Sequence, residues 1–266
     1  FFCNGTYELG NRIYRCWQKN GHGVVNLHRA IVEYCDVYFY NLGKAVGVDK
    51  IAWYAQQFGF GAPTGIDLPR EKSGLIPTKQ WKLSRTGEPW QMGETISISI
   101  GQGFNLVTPL QLVNAYSALA NGGTVFRPRI IKRIETADGM IFKEFGPEIK
   151  NNLPLSKRNI DVLTFGLWGA VNERGGTGSA LKRVQEDVAG KTGTAQVIGL
   201  PDDETARRAK RIAHQYRDHA LFVCFAPYKD PRIAVAVIVE NAGHGGAVAA
   251  PVARKIIDTY FLKKDQ

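Results

Sequence analysis

Apolar residues at helical spacing begin at Leu27, directly after Asn26, whose side-chain oxygen can cap a helix, and the pattern predicts one helix over residues 27–46. A second helix is predicted over residues 50–58. Glycine and proline then punctuate residues 59–103, as in Gly59-Phe60-Gly61-Ala62-Pro63-Thr64-Gly65, and this stretch reads as loop. Thr108-Pro109 gives an N-cap followed by proline at the first helical position, and Gly122-Gly123 ends that helix after Asn121. A strand-like segment follows at 125–135, then a helix at 157–171. The last third reads as strands at 187–197, 219–226 and 233–240, closed by a helix at 248–262. Pro227-Tyr228-Lys229-Asp230-Pro231 is short enough to turn the last two strands into an antiparallel hairpin. The expected class is α+β, an antiparallel sheet flanked by helices. No repeat or linker divides the chain, so residues 1–266 are expected to form a single domain.

No apolar run reaches the roughly 18–20 residues of a membrane helix, and the opening Phe1-Phe2-Cys3 has neither an initiator Met nor a signal-peptide pattern. That start is expected of an excised or N-terminally truncated piece. Lys and Arg number 34 against 24 Asp and Glu, a net charge of +10. This balance suits nucleic acid, an anionic membrane surface or an acidic small substrate, and charge alone does not choose. The densest basic run, Arg207, Arg208, Lys210 and Arg211, has no interleaved aromatics and reads as a solvated face, which argues against a nucleic-acid partner.

Four cysteines are too few for a disulfide scaffold in 266 residues. Cys224 lies in the apolar run Ala220-Leu221-Phe222-Val223-Cys224-Phe225-Ala226 and reads as a packed thiol in a buried strand. The other three fall in the first 35 residues, with Cys16 and His22 six apart and His22 and Cys35 thirteen apart. Three thiolates and an imidazole in a glycine-rich segment can make a tetrahedral zinc site from Cys3, Cys16, His22 and Cys35. A Cys3–Cys16 disulfide is the alternative, although it leaves His22 and the third thiol without a role. Of the other histidines, His28 and His214 are expected on solvated surface, His219 paired with Asp218, and His244 in a loop.

The clearest chemical signal is Lys191-Thr192-Gly193-Thr194-Ala195-Gln196 on the first strand of the final sheet. A cation on a strand edge neutralises a carboxylate, hydroxyls beside it bind substrate, and glycine lets a substrate backbone lie close. The Thr194 amide is placed to face a developing oxyanion. Gly190-Lys191-Thr192 mimics the end of a phosphate-binding loop, but position 185 is Gln where that motif needs Gly.

The motif has company: Gly21-His22-Gly23, Asp36-Val37-Tyr38-Phe39-Tyr40, Thr64-Gly65-Ile66-Asp67-Leu68, Ile100-Gly101-Gln102-Gly103, Thr108-Pro109-Leu110-Gln111, Phe225-Ala226-Pro227-Tyr228 and Val239-Glu240-Asn241. Together, from about Tyr14 to Phe261, they make the chain resemble the transpeptidase domain of the class B penicillin-binding proteins. The resemblance implies the fold shared by penicillin-binding proteins and serine β-lactamases, here as a partial domain. Residues 1–36 would hold a zinc-binding opening and the second family motif, and residues 187–262 the C-terminal sheet. It also implies peptidoglycan D,D-transpeptidase activity by serine acyl transfer, with stem peptides as substrates and β-lactams as acylating inhibitors. The expected location is the periplasmic face of the inner membrane, with a membrane-associated glycosyltransferase of the elongation machinery as partner.

The family uses three motifs. The third carries over intact to Lys191, Thr192 and Gly193, followed by Thr194. The second aligns with Tyr34-Cys35-Asp36, where Asp36 matches but Tyr34 replaces the expected serine, so a proton relay through position 34 is not implied. The first, Ser-x-x-Lys, is missing from its place, and the nucleophile is expected before Phe1. Ser179-Ala180-Leu181-Lys182 fits as a string but stands on the wrong side of the second motif. Some family members carry zinc beside the second motif, and Cys16, His22 and Cys35 match that pattern, Cys3 approximately. The alternative to an enzyme fragment is a catalytically inactive, zinc-stabilised scaffold domain of the elongation machinery.

Overall fold

In the computed structural model, which describes residues 1–182, 187–197 and 214–262, the chain opens as two antiparallel ribbons. β1 (Phe2–Cys3) pairs with β4 (Gly23–Val24), placing Cys3 opposite Gly23, and β2 (Thr6–Leu9) pairs with β3 (Arg12–Arg15) between them. Gly21 allows the close crossing: at φ +75° it adopts a conformation that side chains disfavour, and a Cβ there would press into the backbone of Cys3 and Asn4.

The predicted helix over 27–46 is two helices, α1 (Leu27–Glu33) and α2 (Asp36–Val46). Asn26 caps α1 as expected, accepting from the Arg29 N–H. The break is at Tyr34, which is left-handed at φ 57°, ψ 60° without being glycine, so no stop signal stands in the sequence. α3 (Val48–Gln57) follows as predicted. Residues 59–103 are not all loop: they contain α4 (Lys79–Thr86), bracketed by the Thr78 cap and Gly87, and α5 (Met92–Ile98), bracketed by a Gln91–Glu94 capping box. α6 (Pro109–Ala120) has the predicted Thr108 cap and proline start.

The strand-like stretch 125–135 divides between β5 (Thr124–Phe126) and β6 (Arg133–Glu135), which pair with different partners, β8 (Ile149–Asn152) and β7 (Ile141–Glu144). α7 (Lys157–Asn172) leads to the final sheet of β9 (Ala189–Ala195), β10 (His219–Ala226) and β11 (Ile233–Val239), closed by α8 (Ala249–Leu262). The sheet is antiparallel in the order β11-β10-β9, which makes β9 an edge strand. After His219, strand β10 is apolar because both of its faces are covered. Phe222 and Cys224 pack with Ala253 and Ile257 of α8, while Phe225 packs with Leu119 of α6 and Leu167 of α7. No described helix is long and apolar enough to cross a membrane. The basic run at Arg207, Arg208, Lys210 and Arg211 lies outside the described residues. Two histidines differ from expectation. His28 bonds Glu173 at 2.9 Å and stacks on Phe165, and His219 Nδ1 accepts from the Asn241 N–H rather than pairing with Asp218.

Candidate functional site

Lys191 lies on β9 with its register fixed opposite Val223, and its side chain turns inward to a polar cluster at the sheet edge. Nζ donates to Thr192 Oγ1 at 3.2 Å and to Thr177 Oγ1 at 3.1 Å, and Thr192 Oγ1 donates to Thr177 Oγ1 at 3.0 Å. On its other side Nζ sits 4.3 Å from the centroid of the Tyr34 ring. The segments of the second and third motifs therefore meet in space.

Burial lowers the Lys191 pKa from its ordinary 10.5 to about 7, and the Asp36 carboxylate opposes that fall. Asp36, first residue of α2, is buried and accepts from the Trp17 N–H at 2.9 Å. Burial raises its pKa to about 6, against the pull of the Trp17 amide, the Cys16 thiol and Lys191. Burial also pushes the Tyr34 phenol up, with Asp36 adding to the effect. The Tyr34 hydroxyl donates to the Ile100 carbonyl at 3.0 Å, so it does not serve Lys191.

Thr194 is anchored from a second loop: its carbonyl accepts from Gln102 Nε2 at 2.8 Å, within Ile100-Gly101-Gln102-Gly103. Gly193 is opposite Leu221, and a Cβ there would stand 3.2 Å from the Leu221 Cβ, so glycine also serves the strand pairing. A mostly apolar cavity of about 270 Å³ opens against this cluster, lined by Ile31, Tyr34, Phe39, Ile100 and Leu163, with Lys191 as its cation. Ser179 and Lys182 are exposed on a short 3₁₀ turn (Ser179–Leu181) and its end. Sequence reading missed Thr177 and gave Gln102 no role beyond its place in Ile100-Gly101-Gln102-Gly103. Both stand among glycines, in Gly175-Gly176-Thr177-Gly178 and Gly101-Gln102-Gly103, and that is the signal that could have found them.

Cys3, Cys16, His22 and Cys35 are buried, and their ligand atoms all lie within 4.8 Å of one another. All four cysteines of the chain are free. His22 Nδ1 faces Cys16 Sγ at 3.5 Å and Cys3 Sγ at 3.7 Å. Those spacings are close to the roughly 3.6 Å separating nitrogen and sulfur across a tetrahedral zinc. Burial pushes the Cys16 thiol up to about 11 and the Cys35 thiol to about 12. The His22 Nε2 is buried without a hydrogen-bond partner, with Glu33 Oε2 4.0 Å away. Three soft donors and an imidazole around one point fit a structural zinc.

An edge strand bearing Lys-Thr-Gly against a helix start bearing Asp36 is the arrangement of a penicillin-binding transpeptidase domain. Residues 1–258 match the penicillin binding protein transpeptidase domain, and the chain belongs to that family. It is 40% identical over 272 residues to the peptidoglycan D,D-transpeptidase MrdA of Haemophilus influenzae, covering 99% of this chain and 41% of that protein. Its fold is similar to that of PBP2 from Helicobacter pylori in complex with MreC, at TM-score 0.84 and 30% identity, covering 100% of this chain and 45% of the other. Pseudomonas aeruginosa PBP2 in complex with WCK 5153 is similar at TM-score 0.81 and 36% identity, covering 98% of this chain and 55% of the other. The chain thus spans about two fifths of the length of the curated relative.

Proposed function

We propose that this chain is the portion of a peptidoglycan D,D-transpeptidase that carries the second and third catalytic motifs, in a protein that cross-links stem peptides by serine acyl transfer. The observation that carries the reading is the meeting of Lys191 and Thr192 with Tyr34 and Asp36 beside an apolar cavity. In this reading Lys191 and the Thr192 hydroxyl bind the terminal carboxylate of a stem peptide. The Thr194 N–H faces the oxyanion as it forms, a contribution of roughly 3 kcal/mol. Asp36 offsets the loss of hydration around Lys191 and keeps its charge available. β-lactams enter the same site, since they too present a carboxylate beside a reactive acyl group.

The same proposal places a structural zinc on Cys3, Cys16, His22 and Cys35. That ion would tie the opening ribbons to the turn at Cys35, directly between Tyr34 and Asp36. We also infer a place at the periplasmic face of the inner membrane, next to a membrane-associated glycosyltransferase. The solved relatives include a PBP2 bound to MreC and a peptidoglycan synthase complex, which supports such an assembly. Fluorescent penicillin is the direct test. The full-length protein is expected to label and its Lys191→Ala variant to label at least tenfold more slowly, while residues 1–266 alone stay unlabelled. Equal labelling of wild type and Lys191→Ala, or an adduct on Ser179, would overturn the reading.

A further inference from the structure

The hydroxyl that meets Lys191 from outside its own strand belongs to Thr177, because the Tyr34 hydroxyl is committed to the Ile100 carbonyl. Lys191 Nζ, Thr177 Oγ1 and Thr192 Oγ1 form a closed triangle with sides of 3.0, 3.1 and 3.2 Å. A threonine hydroxyl has two lone pairs and one proton. The Lys191 N–H and the Thr192 O–H fill the lone pairs of Thr177, which keeps its own proton to donate.

The position of Thr177 is fixed by close backbone packing. A Cβ on Gly176 would come within 2.5 Å of the Ala170 carbonyl oxygen, and one on Gly246 within 2.7 Å of the Thr177 carbonyl oxygen. The Thr177 N–H reaches the Val32 carbonyl at 3.4 Å, near the end of α1. Thr177 therefore sits where α7, the second-motif helices and β9 converge.

We propose that Thr177 is the positioning residue of the third motif in this chain, receiving Lys191 and Thr192 on one oxygen and so setting how the Lys191 ammonium faces a carboxylate-ended ligand. The nature of that ligand rests on the proposed function, whereas the hold on Lys191 does not. Among the described residues, Lys191 also meets the Thr192 carbonyl at 3.5 Å, the face of the Tyr34 ring and the charge of the Asp36 carboxylate.

Thr177→Val removes the hydroxyl at nearly constant shape, and Thr177→Ser keeps it. In the full-length protein, the reactivity of the Lys191 amine toward an amine reagent, followed by peptide mass spectrometry across pH, reports its titration. Thr177→Val is expected to lower that titration by about one pH unit, because a hydrogen bond to the charged form is lost, and Thr177→Ser to restore it. In parallel, Thr177→Val should slow penicillin labelling about tenfold and Thr177→Ser should recover most of it. If Thr177→Val titrates like wild type, or Thr177→Ser shifts Lys191 as far as valine does, the assignment fails. Should valine prevent folding, Thr177→Ala is read the same way. If no version labels, the proposed function falls, while the Lys191 titration still decides the role of Thr177.

Discussion

The Lys191 ammonium lies 4.3 Å from the centre of the Tyr34 ring, and the Tyr34 hydroxyl reaches past it to the Ile100 carbonyl at 3.0 Å. A serine at position 34 would offer a short hydroxyl. The tyrosine offers a π face to the cation and uses its oxygen to brace the Ile100-Gly101-Gln102-Gly103 loop.

These two tasks separate by mutation. Tyr34→Phe keeps the ring under Lys191 and leaves the Ile100 carbonyl without its donor, which should cost about 1 kcal/mol in urea unfolding. Tyr34→Ala also removes the ring from the cavity wall and the cation–π contact, and should cost roughly 3 kcal/mol. Equal losses in the two variants would mean that the ring contributes nothing beyond its hydroxyl.

Much of this site was legible in the sequence, and what was not has physical causes. Lys191, Thr192 and Asp36 belong to strings whose spacing survives without coordinates, and Thr108-Pro109 and Gly122-Gly123 mark a helix by local chemistry. Tyr34 broke the predicted helix because long-range contacts to Ile100 and Lys191 hold a left-handed tyrosine that local propensity disfavours. Helices α4 and α5 hid among glycines and prolines because they are only 8 and 7 residues long, and a tertiary contact joins them: Lys82, buried, pairs with Glu94 at 2.5 Å and donates to the Pro89 carbonyl. Thr177 is marked in the sequence only by its glycine neighbours, since its role exists only where three elements meet.

Stability should depend on pH through Lys191. Its folded pKa of about 7 lies below the ordinary 10.5, so between those values the unfolded chain holds a proton that the folded one has lost. Stability therefore rises with pH across that window, and the burial penalty is fully present below it. Lys191→Met removes the group. The wild type, compared with Lys191→Met, is expected to gain on the order of 2 kcal/mol between about pH 7 and pH 9 in urea titrations. A pH-independent difference between the two proteins would contradict this.

Elemental analysis is expected to find about one zinc per chain on the Cys3, Cys16, His22 and Cys35 set. Stripping the metal with a chelator should lower the melting temperature by roughly 6–12 °C, the equivalent of about 3 kcal/mol in a chain of this size. Cys35→Ser should release the metal and reproduce that loss. Metal-free protein with a Cys3–Cys16 disulfide would exclude the site.

Gly245 tests the mechanical link between α8 and the Lys-Thr-Gly strand. Its carbonyl receives the Ala249 and Ala250 N–H groups at 3.0 and 2.9 Å, so it is held at the start of α8. A Cβ added there would run into the carbonyl of Leu221 and stand 2.5 Å from that of Gly193, the two residues that face each other across β10 and β9. Both obstacles are backbone, so relief requires the strands to move. Gly245→Ala should then cost about 1–3 kcal/mol of stability. Because Gly193 precedes Thr194, it should also slow penicillin labelling of the full-length protein by more than that loss of folded population explains. Gly146→Ala, where no atom lies within 4 Å of the new methyl, is the control and should change neither quantity. A Gly245→Ala protein that loses stability yet labels at the wild-type rate would show that β9 tolerates the displacement without misplacing the Thr194 amide.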